Sequence, residues 1–372
     1  MKRIRYRLVS WIFLLYSCFG LLCYASLWIP PNETWWWSGF LSLLIPAVAL
    51  SFLLWLLFWM PRRQLYACLS VACLLAATPA LNGVFQLNWN SYAPSQGKTA
   101  ADMLSIMSYN VRVFNVYEHL QAGDSLISRQ MIQWVSEYPA QIKCLQEIYN
   151  EDSSEVFNTV EKIAQKGKYN YYLAPLPSNN PYKVGYFGMG IFSVYPIVHS
   201  GFLELGNRRS NRAIFIDIVH EQDTVRIYNV HLASMSIDIS GSFSTGEVSA
   251  RFMNILRKLK EGFIRRTHEQ QILLTHIRQS PYPVIVCGDF NALPHSYTYW
   301  AFKKTLSNAF EEAGTGFGFT YSNPPLLLRI DHQFFDDSFW QVVGCQVLRQ
   351  IPYSDHHPLV AIYQKRSMAR RQ

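Results

Sequence analysis

The segment YPVIVCGDFN, residues 282–291, gathers β-branched and apolar residues into one short run and then breaks at Gly288 into two polar side chains, Asp289 and Asn291. A run of this length and composition reads as a strand buried in a sheet. Seven more segments share the pattern: LSIMSYN (104–110), IKCLQE (142–147), GMGIFSV (188–194), RAIFIDIV (212–219), TVRIYNVHL (224–232), RIDHQFF (329–335) and HPLVAIY (357–363). Helical patterns fall between them at about 125–138, 153–166 and 247–278. The last repeats Val248, Phe252, Ile255, Leu256, Leu259 and Phe263 at helical spacing, with basic residues between that read as a solvated face.

Several of these strands close on a polar residue: Asn110, Glu147, His231, Asp289 with Asn291, Asp331, and Asp355 with His356. A lone histidine or asparagine at a strand end is usually a turn or cap residue. Repeated over six segments, the pattern points to a site, because a sheet fixes its strand ends while leaving them open to substrate. Carboxylates, carboxamides and imidazoles without thiols also suit a hard cation such as magnesium. His332 and His357 sit beside these positions but alternate to the other face, so they read as structural.

The motifs MSYNVR, LQEIY, YNVHLAS, VCGDFNALP, RIDHQFF and YSDHHPL, in that order over residues 103–364, resemble the endonuclease/exonuclease/phosphatase (deoxyribonuclease I-like) superfamily. The resemblance implies a four-layer α/β sandwich and hydrolysis of a phosphodiester or phosphomonoester by water, with Mg2+ or alternatively Mn2+. Glu147 resembles the principal metal carboxylate, with Asn110 beside it and Asp355 contributing to the metal or the histidine network. Asp289 resembles the residue that orients or deprotonates the water, and Asn291 one that bonds a phosphate oxygen. His356 resembles the essential histidine, with Asp331 fixing its tautomer. His231 resembles the histidine of the deoxyribonuclease and sphingomyelinase branches, which donates to the phosphate or protonates the leaving oxygen. Arg208, Arg209 and Arg212 precede a strand and read either as solvated charges or as phosphate ligands, with Arg212 the candidate for binding substrate phosphate.

The amino-terminal residues 1–81 have another character. Leu8–Ile29, Ser38–Met60 and Leu65–Leu81 are uncharged apolar runs, broken by Pro46 in the second and Pro79 in the third. They predict three transmembrane helices ahead of the sandwich. A cleaved signal peptide is the alternative for the first, but a second apolar run follows directly and no clear cleavage site closes the first. Lys2, Arg3, Arg5 and Arg7 precede the first run and Arg62–Arg63 follow the second, which puts both on the cytoplasmic side. Three crossings then carry the rest outside, to an extracytoplasmic catalytic domain on a multi-pass protein of a bacterial-type inner (plasma) membrane; if the third run only dips into the membrane, the domain is cytoplasmic instead. Trp35, Trp36 and Trp37 read as an interfacial belt. Residues 82–102 read as a linker, 103–364 as the catalytic domain and 365–372 as a basic tail.

The formal charge of +8 is concentrated at the two ends of the chain. Six Lys/Arg against one acid lie in residues 1–81, and four more in the last eight residues, leaving the domain near neutral. It lacks the basic footprint of nonspecific DNA binding. The expected partners are therefore a phosphoester substrate, with a lipid headgroup or small phosphoester favoured over nucleic acid, and the lipid bilayer. A nuclease is the enzymatic alternative, and a non-catalytic membrane scaffold the alternative of another class. The seven cysteines form no spacing framework, and Cys144, Cys287 and Cys345 read as core.

Overall fold

A computed structural model describes residues 2–88, 103–176, 185–206, 211–235, 248–323 and 327–366. The helices are α1 (Lys2–Ala25), α2 (Trp37–Leu43), α3 (Ile45–Trp59), α4 (Gln64–Asn82), α5 (Val116–Ala122), α6 (Leu126–Glu137), α7 (Thr159–Gly167), α8 (Val248–Arg278), α9 (Tyr297–Lys303) and α10 (Ala309–Ala313). The strands are β1 (Gln86–Leu87), β2 (Met103–Asn110), β3 (Ile142–Asn150), β4 (Asn170–Pro175), β5 (Tyr186–Ser193), β6 (Ile197–Glu204), β7 (Arg212–His220), β8 (Asp223–His231), β9 (Val284–Asp289), β10 (Ser307–Asn308), β11 (Thr315–Gly316), β12 (Asp331–Phe335), β13 (Trp340–Val347) and β14 (Leu359–Lys365). The chain divides into two compact units, one of residues 1–85, 234–267 and 293–301, the other of residues 86–233, 268–292 and 302–372.

In the first unit, Phe13, Phe52, Trp59, Cys73 and Ala77 form a core, while Leu15, Leu50, Leu54, Leu57, Leu65 and Leu75 remain exposed. Leucines facing outward on helices this apolar suit lipid rather than water. Among the described residues, two helices are long and apolar enough to cross a membrane: one spanning Tyr6–Trp28, and α4. The pair α2 and α3, bent by 50°, makes a third if it counts as one span. The second apolar run is therefore not the single straight helix its composition predicts. Pro46, in the first turn of α3, has no N–H to continue the ladder from α2. Pro79, by contrast, sits within α4 without ending it. The basic face of α8 is also not wholly solvated: Lys260 lies 5.2 Å over the Trp36 ring and 4.0 Å from Glu33, and Phe263 meets Phe40 edge-on at 5.3 Å.

The second unit carries two six-stranded sheets, ordered β10-β12-β9-β8-β7-β6 and β13-β14-β2-β3-β5-β4, each with parallel and antiparallel pairs. Ile106, Cys144, Ile191, Ile216, Ile227 and Cys287 are among the residues that fill the space between them. Cys144 and Cys287 touch there at 3.7 Å, as core cysteines. The outer face of the β2–β3 sheet packs on α6 and α7 through Met107, Leu145, Met131 and Ile163. Alternation along β3 turns Lys143 outward under α6, where its ammonium caps the carbonyls of Val135 and Ser136 at 2.5 and 3.0 Å. Strands β4, β6 and β13 lie outside the predicted set. The second helix begins at Thr159 rather than near 153, and residues 86–88 of the expected linker belong to this unit, β1 pairing with β11. Residues 89–102 of that linker, Arg208, Arg209 and the tail beyond Arg366 lie outside the described residues.

Polar side chains also cross between the sheets. The β3–β5 ladder shifts register between Leu145 and Ile148. Asn229 of the facing sheet donates to the carbonyls of Leu145 and Gly190 at 2.8 and 3.0 Å, and accepts from Gln146 at 2.6 Å. Gln333 reaches Ile106 and Leu359 in the same way, at 3.2 and 2.8 Å. A buried carbonyl without a donor costs about 1–3 kcal/mol. Asn229→Leu should therefore lower the unfolding free energy by about 2–4 kcal/mol, read from denaturant melts; a loss under about 1 kcal/mol would mean that the bulge finds other partners.

Candidate active site

Strand register builds the site. In one sheet His231 stands opposite Asp289, and Asp289 opposite Asp331, so β8, β9 and β12 place three functional side chains in one row. Arg212 begins the same row opposite His231. The close approach of β8 to β9 depends on Gly288: its φ is +147°, and a Cβ there would lie 2.0 Å from the Val230 carbonyl oxygen. The GD of VCGDFN is thus a requirement for the backbone as well as for the carboxylate.

The second sheet supplies Asn110 from the end of β2 and Glu147 from the bulge in β3. Glu147 has φ +53° and Asn291 φ +48°, and residues 112–115 after β2 form a run at φ +40° to +57°. Left-handed backbone at non-glycine residues is strained and gathers at functional sites. Asn110 Nδ2 donates to Glu147 Oε1 at 3.2 Å and to Asp289 Oδ2 at 3.1 Å, and its Oδ1 accepts the Arg112 N–H at 3.1 Å.

Asp289 Oδ2 is the centre of the cluster. His231 Nε2 lies 3.7 Å away and His356 Nε2 3.8 Å, and His231 Nε2 is also 3.6 Å from Glu147 Oε1. The other oxygen, Oδ1, accepts the Asn291 N–H at 2.9 Å, while Asn291 Nδ2 donates to the Leu232 carbonyl at 3.1 Å. His356 Nδ1 meets Asp331 Oδ2 at 2.9 Å. Burial opposes an imidazolium at His356, but the charges of Asp331, Asp289 and Asp355 outweigh it and raise the group to about 10.

The ligand atoms of Asp289, Asp331 and His356 lie within 4.8 Å of one another, and all three residues are buried. Glu147 is more open, with its side chain 38 % exposed. Asp331 Oδ1 is buried without a hydrogen-bond partner. A donor set of carboxylates and imidazole, with no thiol among them and one carboxylate oxygen uncommitted, fits a hard divalent cation.

Asp355 stands beside this cluster, its Oδ1 3.3 Å from the Ser354 hydroxyl. Arg212 is 4 % exposed, and its guanidinium donates to the Pro175 carbonyl at 3.0 Å and lies 3.9 Å from Glu204. His332 bonds the Ala292 carbonyl at 2.7 Å, and burial pushes it down to about 3. His357 bonds Ser322 at 2.9 Å. Three supporting residues escape a reading based on charge. Ser354 Oγ lies 3.0 Å from the Asn110 carbonyl and accepts the His356 N–H at 3.2 Å. Thr320 Oγ1 accepts the Asp331 N–H at 3.1 Å, and the Tyr321 ring meets His356 edge-on at 5.0 Å. Only Ser354, inside YSDHHPL, stands next to a motif residue.

With two sheets facing each other and a carboxylate–histidine cluster at their strand ends, the molecule has the architecture of a phosphoester hydrolase. The chain belongs to the Endonuclease/Exonuclease/phosphatase family, whose model matches residues 107–356. The family takes in phosphoester hydrolases and nucleases, and its enzymes generally use divalent metals. Two solved structures agree in fold. An endonuclease/exonuclease/phosphatase from Beutenbergia cavernae is 15 % identical with a TM-score of 0.52, covering 71 % of this chain and 72 % of that one. One from Bacteroides vulgatus is 15 % identical with a TM-score of 0.50, covering 72 % and 100 %. The human Nocturnin catalytic domain with bound sulfate is 20 % identical with a TM-score of 0.49, covering 71 % and 94 %. No curated protein matches the chain.

Proposed function

We propose that the chain is a membrane-anchored, Mg2+-dependent hydrolase of a phosphodiester or phosphomonoester, with a lipid headgroup or small phosphoester as substrate. The observation that carries this is the cluster around Asp289 Oδ2, with Asn110 Nδ2 at 3.1 Å and two imidazole nitrogens at 3.7 and 3.8 Å.

Glu147 and Asn110, with Asp355 beside them, would hold Mg2+, or Mn2+ in its place. When bound, the cation offsets negative charge developing on the phosphoryl oxygens. Asp289 accepts a proton from the attacking water as its oxygen bonds to phosphorus in line with the leaving group. Asp331 holds His356 Nδ1, so that Nε2 faces the phosphate and donates to it as a cation. His231 protonates the oxygen released when the P–O bond breaks. Asn291, with one amide hydrogen still free of the Leu232 carbonyl, binds a phosphate oxygen, and Arg212 adds charge at the end of the row.

The preference for a lipid headgroup or small phosphoester rests on the apolar amino-terminal helices and the near-neutral domain, because polyanion binding normally brings more Lys and Arg. The proposed organisation is an anchor over 1–81, a linker over 82–102 whose residues 86–88 pair onto the catalytic domain, a catalytic domain over 103–364 and a basic tail over 365–372 whose first residue, Lys365, still belongs to β14. The distribution of Lys and Arg favours an extracytoplasmic catalytic domain on a multi-pass inner-membrane protein.

The full chain in neutral-lipid discs should hydrolyse one of sphingomyelin, a chromogenic bis-phosphodiester or supercoiled DNA. The activity should be lost on chelation and fall by about 10²-fold or more in His356→Ala. Turnover of DNA alone would replace the lipid reading with a nuclease. No turnover of any substrate by the folded chain would favour a scaffold or an untested inositol phosphate. For topology, a reporter fused after Gln372 should behave as extracytoplasmic; a cytoplasmic signal would mean that one of the three apolar runs does not cross.

A further inference from the structure

Arg7 and Arg62–Arg63 stand far apart in the chain, and the first unit brings them to one place. Phe13 of α1 packs on Trp59 at the end of α3 and on Tyr66 at the start of α4, with ring centroids 5.7 and 5.8 Å away. Those two rings meet each other at 4.8 Å. The start of α1 is thereby held beside the α3–α4 turn, where the Arg62 and Arg63 N–H groups both donate to the Trp59 carbonyl. Among the described residues, Tyr6, Arg7, Arg62 and Arg63 line the resulting cavity of about 510 Å³. Topology asks only that these bases lie on one side of a membrane, not that they share a cavity.

Among the described residues no carboxylate pairs with any of the three arginines. Residues 1–81 hold a single acid, Glu33, which lies beyond the other end of α1, about 27 Å of helix away from Arg7. Lys260 stands 4.0 Å from it. Aromatic rings hold the guanidiniums instead. Arg62 lies 4.4 Å over the Phe58 ring and donates to the Phe58 carbonyl at 2.7 Å, and Arg63 lies 5.8 Å over the Tyr66 ring. Stacking fixes a guanidinium while leaving the donors on its edge open. Three like charges around one space repel until an anion enters it, and the guanidinium fork fits a phosphate. Leu8, Met60 and Leu65, neighbours in sequence of the lining residues, are exposed. The surroundings therefore suit an anion that carries apolar chains.

We propose that this cavity seats the phosphate of an anionic phospholipid, bound by Arg7 from one side and by Arg62 and Arg63 from the other, while its acyl chains run along the exposed apolar side chains. The site rests on the membrane-crossing part of the proposed function and not on its hydrolytic chemistry.

The test reconstitutes the full chain in vesicles of equal phosphatidylcholine and phosphatidylglycerol, then counts the lipids it retains by native mass spectrometry. The chain should float with the vesicles and keep phosphatidylglycerol over phosphatidylcholine by about tenfold or more. Arg7→Gln alone, and Arg62→Gln with Arg63→Gln, should each lower that preference by about fivefold. Arg7→Lys, Arg62→Lys and Arg63→Lys together keep the charge that sets topology but lose the fork. They should also lower it by about fivefold, and they decide the matter if the glutamine variants do not insert. Arg129→Gln, Lys162→Gln and Lys166→Gln together remove as much charge from the second unit and should leave the preference unchanged. An undiminished preference in the lysine variant, an equal loss in the second-unit variant, or equal retention of both lipids by a chain that floats would overturn the proposal. A chain that does not float would overturn the membrane reading and this site with it.

Discussion

The approach of β8 to β9 is the constraint on which the rest of the site depends. It sets His231 opposite Asp289 in a parallel pair, and the antiparallel β12 adds Asp331 on the far side. Because side chains alternate across a strand, slipping this register by one residue would turn the row to the other face. The approach is possible only because Gly288 has no Cβ to strike the Val230 carbonyl. One glycine thus governs the spacing of two strands, and that spacing positions the central carboxylate.

The facing sheet meets the row at a place where its own regularity fails. The bulge at Glu147 turns that side chain toward Asn110 and His231 and leaves carbonyls of the β3–β5 ladder to be satisfied by Asn229. A bulge re-aims a side chain at the cost of ladder bonds. Here the lost bonds are replaced from the opposite sheet, so the same residue that repairs the bulge ties the two layers together. The left-handed run at 112–115 adds strain at the end of β2, where the Arg112 N–H holds Asn110 in its orientation. The result is a rigid frame for side chains that must stay within a few ångströms of one another.

Much of this was legible in the sequence. Apolar runs ending in polar residues located β2, β3, β8 and β9, whereas Asp331 opens β12 and Asp355 with His356 precedes β14 rather than closing a strand, and the order of the motifs led to the family. Strands β4, β6 and β13 were not legible, because NYYLAP, IVHSGFLE and WQVVGCQV carry exposed or mixed faces and no motif. Pro46 was legible as an interruption, but not the 50° bend between α2 and α3, because hydropathy is continuous through it and only the backbone registers the missing N–H. Ser354, Thr320 and Tyr321 were invisible as contributors, since hydroxyls and rings acquire a role through position rather than charge. Lys260 read as solvated because nothing in a helical repeat announces a tryptophan partner distant in the chain.

The account stands most directly on Asp331 and His356 acting as one unit beside Asp289, joined by the 2.9 Å contact at Nδ1. A double-mutant cycle on turnover, with Asp331→Asn, His356→Ala and the pair combined, measures this. The account predicts strong non-additivity, the double variant losing little more than His356→Ala alone, because a carboxylate that works through the imidazole has nothing left to orient once the ring is gone. Losses that simply multiply would show that the two groups act independently and would contradict the arrangement described here.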